Sequence, residues 1–119
     1  MSNDDAAQAL FIYTTLPDAD SAAQLGEALV KERLAACVNI FPGIRSVYEW
    51  QGRLEHDEEV VLIAKTTPEQ AAAAARRVHE LHPYEVPAIL QLPVTVMNSA
   101  YLEWMRQQTQ SEKSGRKAS

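Results

Sequence analysis

The sequence predicts an α+β domain of the ferredoxin-like split βαβ class, in which one antiparallel sheet carries both main helices on the same face. Strand-like and helix-like segments follow one another in the order β, α, β, β, α, β, and a C-terminal helix comes after them. The 119 residues suffice for one domain but not for several. Hydrophobic residues make up 46% and charged residues 23%, which is typical of a chain that buries its own core.

The first strand and the first helix occupy the N-terminal part of the chain. The run ALFIYTTL over 9–16 is rich in β-branched and aromatic residues and ends at a Pro-Asp pair, which predicts a buried strand followed by a turn. Apolar residues with helical spacing follow over 22–30. Either Asp18 begins this helix, or Ser21 does so with Gln24 as its capping-box partner.

The sequence of residues 35–66 predicts a long hairpin of two strands. Residues 35–50 are strand-like, with a bulge expected at Pro42-Gly43 because proline lacks the N–H that a sheet ladder needs. A Gln-Gly pair turns the chain, and residues 53–66 form the returning strand. A strand of this length spans roughly 45 Å, so one end of the hairpin projects as an arm. We expect its aromatic residues to pack on a partner subunit.

The second half of the chain predicts a helix, a strand and a final helix. Thr67 is the expected N-cap of the second helix, with Gln70 completing a capping box. That helix ends near Leu81, because the residue before a proline is pushed out of the α region. Residues 88–96 predict the last strand, and residues 100–108 predict the final helix.

Composition and charge indicate the boundaries of the domain and the classes of partner that it can bind. The expected boundaries are a disordered N-terminus over 1–8, a single domain over 9–108 and a disordered basic tail over 109–119. The net charge of −5, with the tail basic, leaves an acidic body, which argues against nucleic-acid binding. No signal peptide or membrane-spanning run is recognisable, and one cysteine cannot form an internal bridge. We therefore expect a cytoplasmic protein with no membrane partner.

Three residues are candidate metal ligands. His79 and His82, three apart at the end of the second helix, could share one face and hold copper, zinc or nickel. The alternative is two exposed histidines that interact with the negative end of the helix dipole. Cys37 could be a soft metal ligand, a redox thiol or a small core residue.

Other residues could line a ligand cleft. Lys65 ends an apolar strand, where its charge needs either solvent or a carboxylate such as Glu59 or Glu85. Tyr84 lies between two prolines, in a loop that either forms the wall of a pocket or only connects two elements. Trp50 and Trp104 either pack in the core or at an interface, which is the favoured role, or form platforms for a ligand. Tyr48 lies with Trp50 on the projecting part of the hairpin.

Six blocks of sequence, in order and spacing, resemble the CutA divalent-cation tolerance family over about residues 10–105. The blocks are 33–39 (RLAACVN), 41–44 (FPGI), 48–54 (YEWQGRL), 65–67 (KTT), 81–87 (LHPYEVP) and 101–104 (YLEW). The resemblance implies a ferredoxin-like homotrimer whose hairpins wrap neighbouring subunits, with an architecture similar to the PII signalling proteins. It also implies a role in tolerance to copper and other divalent cations.

The resemblance carries over the family's copper ligands only in part. In the copper-binding bacterial members, the proposed ligands are a cysteine at the end of the first strand and two adjacent histidines before Pro-Tyr. Here Thr14 and Leu81 stand at the first two of these positions, and only His82 matches the third. A threonine hydroxyl is a poor ligand for Cu(I), so Cys37 is the remaining soft donor.

The leading hypothesis is a non-enzymatic, cytoplasmic homotrimer that binds copper, another divalent cation or a small anionic ligand in clefts between subunits. The predicted cleft residues are His82, Tyr84, Glu85, Glu59, Lys65, Tyr48, Trp50 and Trp104. One alternative is a PII-like signalling module that binds a nucleotide or another anion between subunits. A second is a small-molecule enzyme that uses Lys65, His82 or Tyr84 as general acid or base.

Overall fold

Four antiparallel strands and three helices make up residues 7–110, the part of the chain that the computed structural model describes. The elements are β1 (Ala9–Leu16), α1 (Ala19–Lys31), β2 (Cys37–Trp50), β3 (Arg53–Thr66), α2 (Pro68–Leu81), β4 (Ile89–Val94) and α3 (Ser99–Gln108). The strand order is β2-β3-β1-β4, and every neighbouring pair is antiparallel. The predicted α+β split βαβ fold is confirmed. None of these three helices is long and apolar enough to cross a membrane.

The two faces of the sheet differ in what covers them. One face packs against α1 and α2, and the main core forms there; its largest members are Ile12, Leu16, Leu29, Leu62 and Val78. Side chains alternate along each strand, so the residues between these core positions point to the opposite face, which we call the open face. Register places on it Phe11, Tyr13, Phe41, Ile63, Leu90 and Leu92. Helix α3 packs at the end of the sheet, against Ala9 and Ala36.

The β2-β3 hairpin extends beyond the rest of the sheet. Strand β3 pairs with β1 only from Val60 to Thr66, but it pairs with β2 as far as Arg53. Residues 44–59 therefore form a two-stranded arm, about 24 Å long at about 3.4 Å per residue. The predicted projecting hairpin is confirmed.

Two backbone irregularities shape this hairpin, and both match the sequence prediction. The register shift between Phe41 and Ile44 is the expected bulge, and Gly43 lies there at φ 77°. At the tip, Gln51 and Gly52 have φ values of 53° and 80°. Positive φ at both central residues is typical of the tight turn that suits the twist of a hairpin.

The helix caps differ partly from those expected. Asp18, not Ser21, caps α1: its Oδ1 accepts the Ser21 N–H at 2.8 Å, so the helix begins at Ala19. The capping box predicted at α2 is wrong, because the Thr67 side chain makes no capping hydrogen bond. The side chain of Gln70 instead donates to the Thr109 carbonyl at 3.2 Å, since the end of α3 lies beside the start of α2.

Two strand boundaries also differ from the prediction. Strand β2 begins at Cys37 instead of residue 35, because the Ala35 N–H still bonds to the Leu29 carbonyl of α1. Strand β4 covers Ile89–Val94 instead of 88–96; it ends at Val94 because β1, the strand that pairs with it, begins at Ala9, opposite Val94.

Both ends of the predicted domain make hydrogen bonds with the rest of the fold. Gln8 accepts the Val96 N–H at 2.7 Å, and Thr109, assigned by sequence to the tail, is buried and donates to the Met105 carbonyl at 2.9 Å. The rest of the predicted disordered termini, residues 1–6 and 111–119, lies outside the described residues.

Candidate functional site

A buried carboxylate marks the root of the arm. The last residue of β1, Leu16, pairs with Val60, and Glu59 is the next residue of β3 toward the tip of the arm. Only 9% of its surface is exposed. Its Oε1 accepts a hydrogen bond from the Ser46 hydroxyl and its Oε2 accepts one from the Tyr84 hydroxyl, each at 2.7 Å. These two donors compensate for the water that the carboxylate loses on burial. The loop after α2 is thereby joined to the arm.

Two tyrosines near this carboxylate stay protonated and donate hydrogen bonds to acidic side chains. Burial raises the pKa of Tyr84 well above its ordinary value, and the hydrogen bond to Glu59 raises it further. Tyr48 donates to Asp57 across the arm, and this bond is the main reason that its pKa rises to about 12. Both phenols therefore stay protonated at neutral pH, a state that suits donors and not general bases.

His82 is held in one tautomer by its surroundings. Its Nδ1 lies 3.1 Å from the Tyr84 amide, which can only donate, so Nδ1 is the unprotonated nitrogen. The Nε2–H then donates to the Thr15 carbonyl at 2.8 Å, with the Thr14 hydroxyl 3.0 Å away. Burial lowers the pKa of His82, which favours this neutral form. We call Ser46, Glu59, His82 and Tyr84 the root cluster.

The metal ligands considered from sequence are placed apart from one another. The two nitrogens of His82 are both engaged in hydrogen bonds, so a metal could bind this side chain only by displacing the Tyr84 amide from Nδ1 or the proton from Nε2. His79 lies on the exposed side of α2, and Cys37, half-buried, lies opposite Lys65 on the open face. Within residues 7–110 no three His, Cys, Asp or Glu side chains converge. These residues of one chain do not by themselves fit a resident metal ion.

The structure does bring together the two positions that the family resemblance linked to copper. Thr14, at the position of the family's cysteine, faces His82 across 3.0 Å. Because threonine replaces the soft sulfur donor, this contact is a hydrogen bond within the core. Leu81, at the position of the other histidine, is 39% exposed at the end of α2.

Lys65 lies far from the root cluster. It is six residues along β3 from Glu59, about 20 Å at 3.4 Å per residue, so the expected pairing with that carboxylate does not form within one chain. No carboxylate in the described part of the chain lies within 4 Å of its ammonium group. The ammonium instead lies 5.8 Å from the centre of the Tyr101 ring.

The remaining cleft residues are dispersed as well. Trp50 is 53% exposed at the tip of the arm, and Glu85 is exposed in the loop after α2. Trp104 lies on α3, beside Tyr101. The root cluster, the group of Lys65 with Tyr101 and Trp104, and Trp50 at the tip of the arm are thus separate within one chain. A cleft that contains all the predicted residues requires more than one copy. Lys65, His82 and Tyr84 likewise do not form one acid–base site within a chain.

Sequence reasoning missed four residues that these groups use. In the sequence Ser46 and Asp57 look like ordinary arm residues. Ser46 nevertheless lies on the same side of the hairpin as Glu59, and Asp57 on the same side as Tyr48. That side could have been found by counting alternate residues from the Gln-Gly turn. The backbone role of Thr15 has no sequence signal. Tyr101 stands in the last block of the resemblance, three residues before Trp104, and that helical spacing was the available signal.

Comparison with known proteins gives consistent matches along the chain. A family model described as CutA1 divalent ion tolerance protein matches residues 10–108. The divalent-cation tolerance protein CutA of Thermus thermophilus is 46% identical over 98 residues, which cover 82% of this chain and 95% of that protein. Protein CutA of Homo sapiens is 43% identical over 99 residues, 83% of this chain but 55% of that protein. The chain thus spans about half the length of the human relative.

Solved structures agree with the fold. The Cut A1 structure from Thermus thermophilus superposes with a TM-score of 0.81 at 44% identity, covering 86% of this chain and 99% of that one. CutA from Xylella fastidiosa gives a TM-score of 0.84 at 38% identity, covering 87% and 100%. A CutA from Archaeoglobus fulgidus, named as a periplasmic divalent cation tolerance protein, gives 0.82 at 34% identity, covering 86% and 99%.

Proposed function

Because the chain belongs to the CutA1 divalent ion tolerance protein family, we propose that it acts as a homotrimer in tolerance to copper and other divalent cations. In this proposal a cation or a small ligand occupies clefts between subunits, and the protein is not an enzyme. The observation that carries the proposal is the family match over residues 10–108, which includes the sheet, the arm and the loop after α2.

The exposed apolar surface supports self-association. Phe41, Leu90 and Leu92 of the open face are between 44% and 53% exposed, and on the arm Leu54 is 69% exposed. A face of this kind gains about 25 cal/mol for each Å² of apolar surface that a neighbour covers. The arm has no core of its own, so a neighbour is also the natural partner for the Trp50 ring.

The open sheet edges support the same conclusion. Strands β2 and β4 are the two outer strands of the described sheet, so within residues 7–110 each has one edge that no other strand pairs with. Such edges pair readily with another chain unless they are covered. Three copies of one chain can satisfy both edges and the open face by repeating a single contact.

A cation bound as proposed would contact more than one subunit. Since no three of them converge within residues 7–110, a cation would draw its ligands from more than one copy. Cys37 lies on the open face, opposite Lys65, where a neighbouring copy can approach it.

Native mass spectrometry tests the assembly. The wild-type protein should give the mass of three chains, and Trp50→Ala should raise the concentration at which the trimer dissociates by about tenfold or more. Leu81→Ala, which changes an exposed residue on the helical side, is the matched control and should leave the trimer intact. A monomeric wild type, or a Trp50→Ala trimer as stable as the wild type, would contradict the proposed assembly.

A deletion strain tests the biological role. Cells that lack the gene should grow less well on Cu(II) than the parent, and the wild-type gene should restore growth. Purified protein, stripped with EDTA and titrated with Cu(II), should bind the metal, and Cys37→Ser or His82→Ala should weaken that binding. If growth on Cu(II), Zn(II) and Ni(II) is the same with and without the gene, the tolerance role is wrong.

A second candidate is the PII-like signalling module that binds an anion between subunits. The observation in its favour is Lys65, whose ammonium has no carboxylate of the described residues within 4 Å. A thermal-shift series with nucleotides tests it, because a ligand that binds the folded state raises the unfolding temperature.

The proposal also includes a cytoplasmic location for the protein, and cell fractionation tests that location.

A further inference from the structure

An aromatic pair and a lysine lie together where α3 meets the sheet. The rings of Tyr101 and Trp104 are 5.5 Å apart, tilted by 33°, and the Lys65 ammonium lies 5.8 Å from the centre of the Tyr101 ring. Lys65 belongs to the open face, whereas both rings project from α3. We call these three residues the aromatic platform.

The platform has surface that the fold of one chain does not use. Tyr101 and Trp104 are 38% and 39% exposed, while Leu102 and Met105 fix the other side of α3 to the domain. The ring positions are therefore set by packing that a ligand need not disturb. A half-exposed pair of rings offers a flat apolar surface for stacking.

The charge at the platform is unbalanced. Among residues 7–110 the attractive partner recorded for the Lys65 ammonium is the ring of Tyr101, and a ring quadrupole is a much weaker partner than a carboxylate. The carboxylate nearest in sequence to the rings, Glu103, lies 4.0 Å from Arg106 on the same helix. In the described part of the chain, no acidic group lies within 4 Å of the Lys65 ammonium. An anion placed beside Lys65 would therefore pair with a cation that has no carboxylate partner there.

We propose that the aromatic platform binds a small planar aromatic anion, whose ring stacks on Trp104 and Tyr101 while its carboxylate or phosphate pairs with Lys65. A ring that lies about 3.5–4 Å from these side chains carries its acidic group close to the Lys65 ammonium, which is itself 5.8 Å from the centre of the Tyr101 ring. The inference rests on the proposed function, since it names the ligand class for one of the clefts between subunits.

Nuclear magnetic resonance of the ¹⁵N-labelled full-length protein tests the proposal. The chain has two tryptophans, so its spectrum should contain two indole N–H signals, and Trp50→Phe identifies the signal of Trp104 by deleting the other. The probes, in buffer with EDTA, are nicotinate, its neutral analogue nicotinamide, and acetate, which has the charge without the ring. Nicotinate should shift the Trp104 signal saturably, nicotinamide should bind at least about tenfold more weakly, and acetate should cause no shift.

Variants separate the charge from the ring. Lys65→Gln should weaken nicotinate at least about tenfold, Lys65→Arg should keep most of the affinity, and Tyr101→Leu should weaken it. Native mass and the urea midpoint of each variant show whether it still folds and assembles. The proposal is overturned if nicotinate leaves the Trp104 signal unchanged, or if Lys65→Gln binds as tightly as the wild type. Either result leaves trimer mass and growth on Cu(II), the tests of the proposed function, unaffected.

Discussion

The Tyr84 hydroxyl donates to Oε2 of Glu59 at 2.7 Å and so joins two segments that lie 25 residues apart in sequence. This bond fastens the loop after α2 to the root of the arm, at the place where β1 no longer supports β3. The direction of the arm therefore depends on a hydrogen bond to a buried carboxylate as well as on strand pairing.

Tyr84→Phe should destabilise the domain by about 1–2 kcal/mol, because it leaves the buried Glu59 carboxylate with one donor in place of two. The measurement is the free energy of unfolding in urea at a fixed protein concentration. Tyr48→Phe, which removes the exposed bond to Asp57, is the matched control and should cost much less. Equal losses in the two variants would show that burial of Glu59 is not the source of the effect.

His82 should make stability depend on pH. Burial is the main cause that lowers its pKa below the ordinary value of 6.5, and the charge of His79 lowers it further, while the Thr15 hydrogen bond and Glu59 oppose the shift. As the pH falls below 6.5 the unfolded chain takes up the proton before the folded one does. The free energy of unfolding therefore falls with pH until the pH passes the lowered pKa of the folded state.

Urea midpoints at pH 7.5 and 5.5 measure this dependence. His82→Gln keeps a side-chain N–H donor near the Thr15 carbonyl but cannot titrate, so its midpoint should change less between the two pH values than that of the wild type. His56→Gln, on the arm, is the control and should behave as the wild type does. An unchanged slope in His82→Gln would mean that other groups set the pH dependence.

Thr14→Cys should create a Cu(I) site. The hydroxyl of Thr14 lies 3.0 Å from Nε2 of His82, so a thiolate there would place a soft sulfur beside an imidazole nitrogen that can bind Cu(I) once it gives up its proton and its bond to the Thr15 carbonyl. We expect Cu(I) affinity at least about tenfold above that of the wild type, measured by competition with a chromogenic chelator. Thr15→Cys is the matched control: register places that side chain on the open face, away from His82, so the same gain in both variants would contradict the site.

Gly26→Ala should destabilise the domain although alanine favours helices. A Cβ at this position would lie 2.7 Å from Cγ2 of Val38, and a β-branched side chain has little freedom to move away. The clash should outweigh the gain of about 1 kcal/mol in helix propensity, for a net loss of about 1–2 kcal/mol. In a Val38→Ala background the same change should cost little, and equal costs in both backgrounds would show that the contact is not responsible.

Local patterns were enough to predict most of the secondary structure and the projecting arm. The bulge at Pro42-Gly43 and the turn at Gln51-Gly52 are set by the backbone preferences of the residues themselves, so they are legible in sequence. The capping box at Thr67 was predicted wrongly, because Gln70 bonds instead to Thr109, 39 residues away. A local signal of this kind fails when a distant segment offers the same side chain another acceptor.

The sequence by itself determined the order of the elements, the length of the hairpin and the residue types available for a site, because periodicity and turn chemistry act over a few neighbours. Only the tertiary structure decided which of those residues meet. Strand pairing and helix packing bring Thr14 to His82, 68 residues away, and Tyr84 to Glu59, 25 residues away. Contacts of this kind depend on how strands pair and helices pack over the whole chain, and no short pattern in the sequence encodes that.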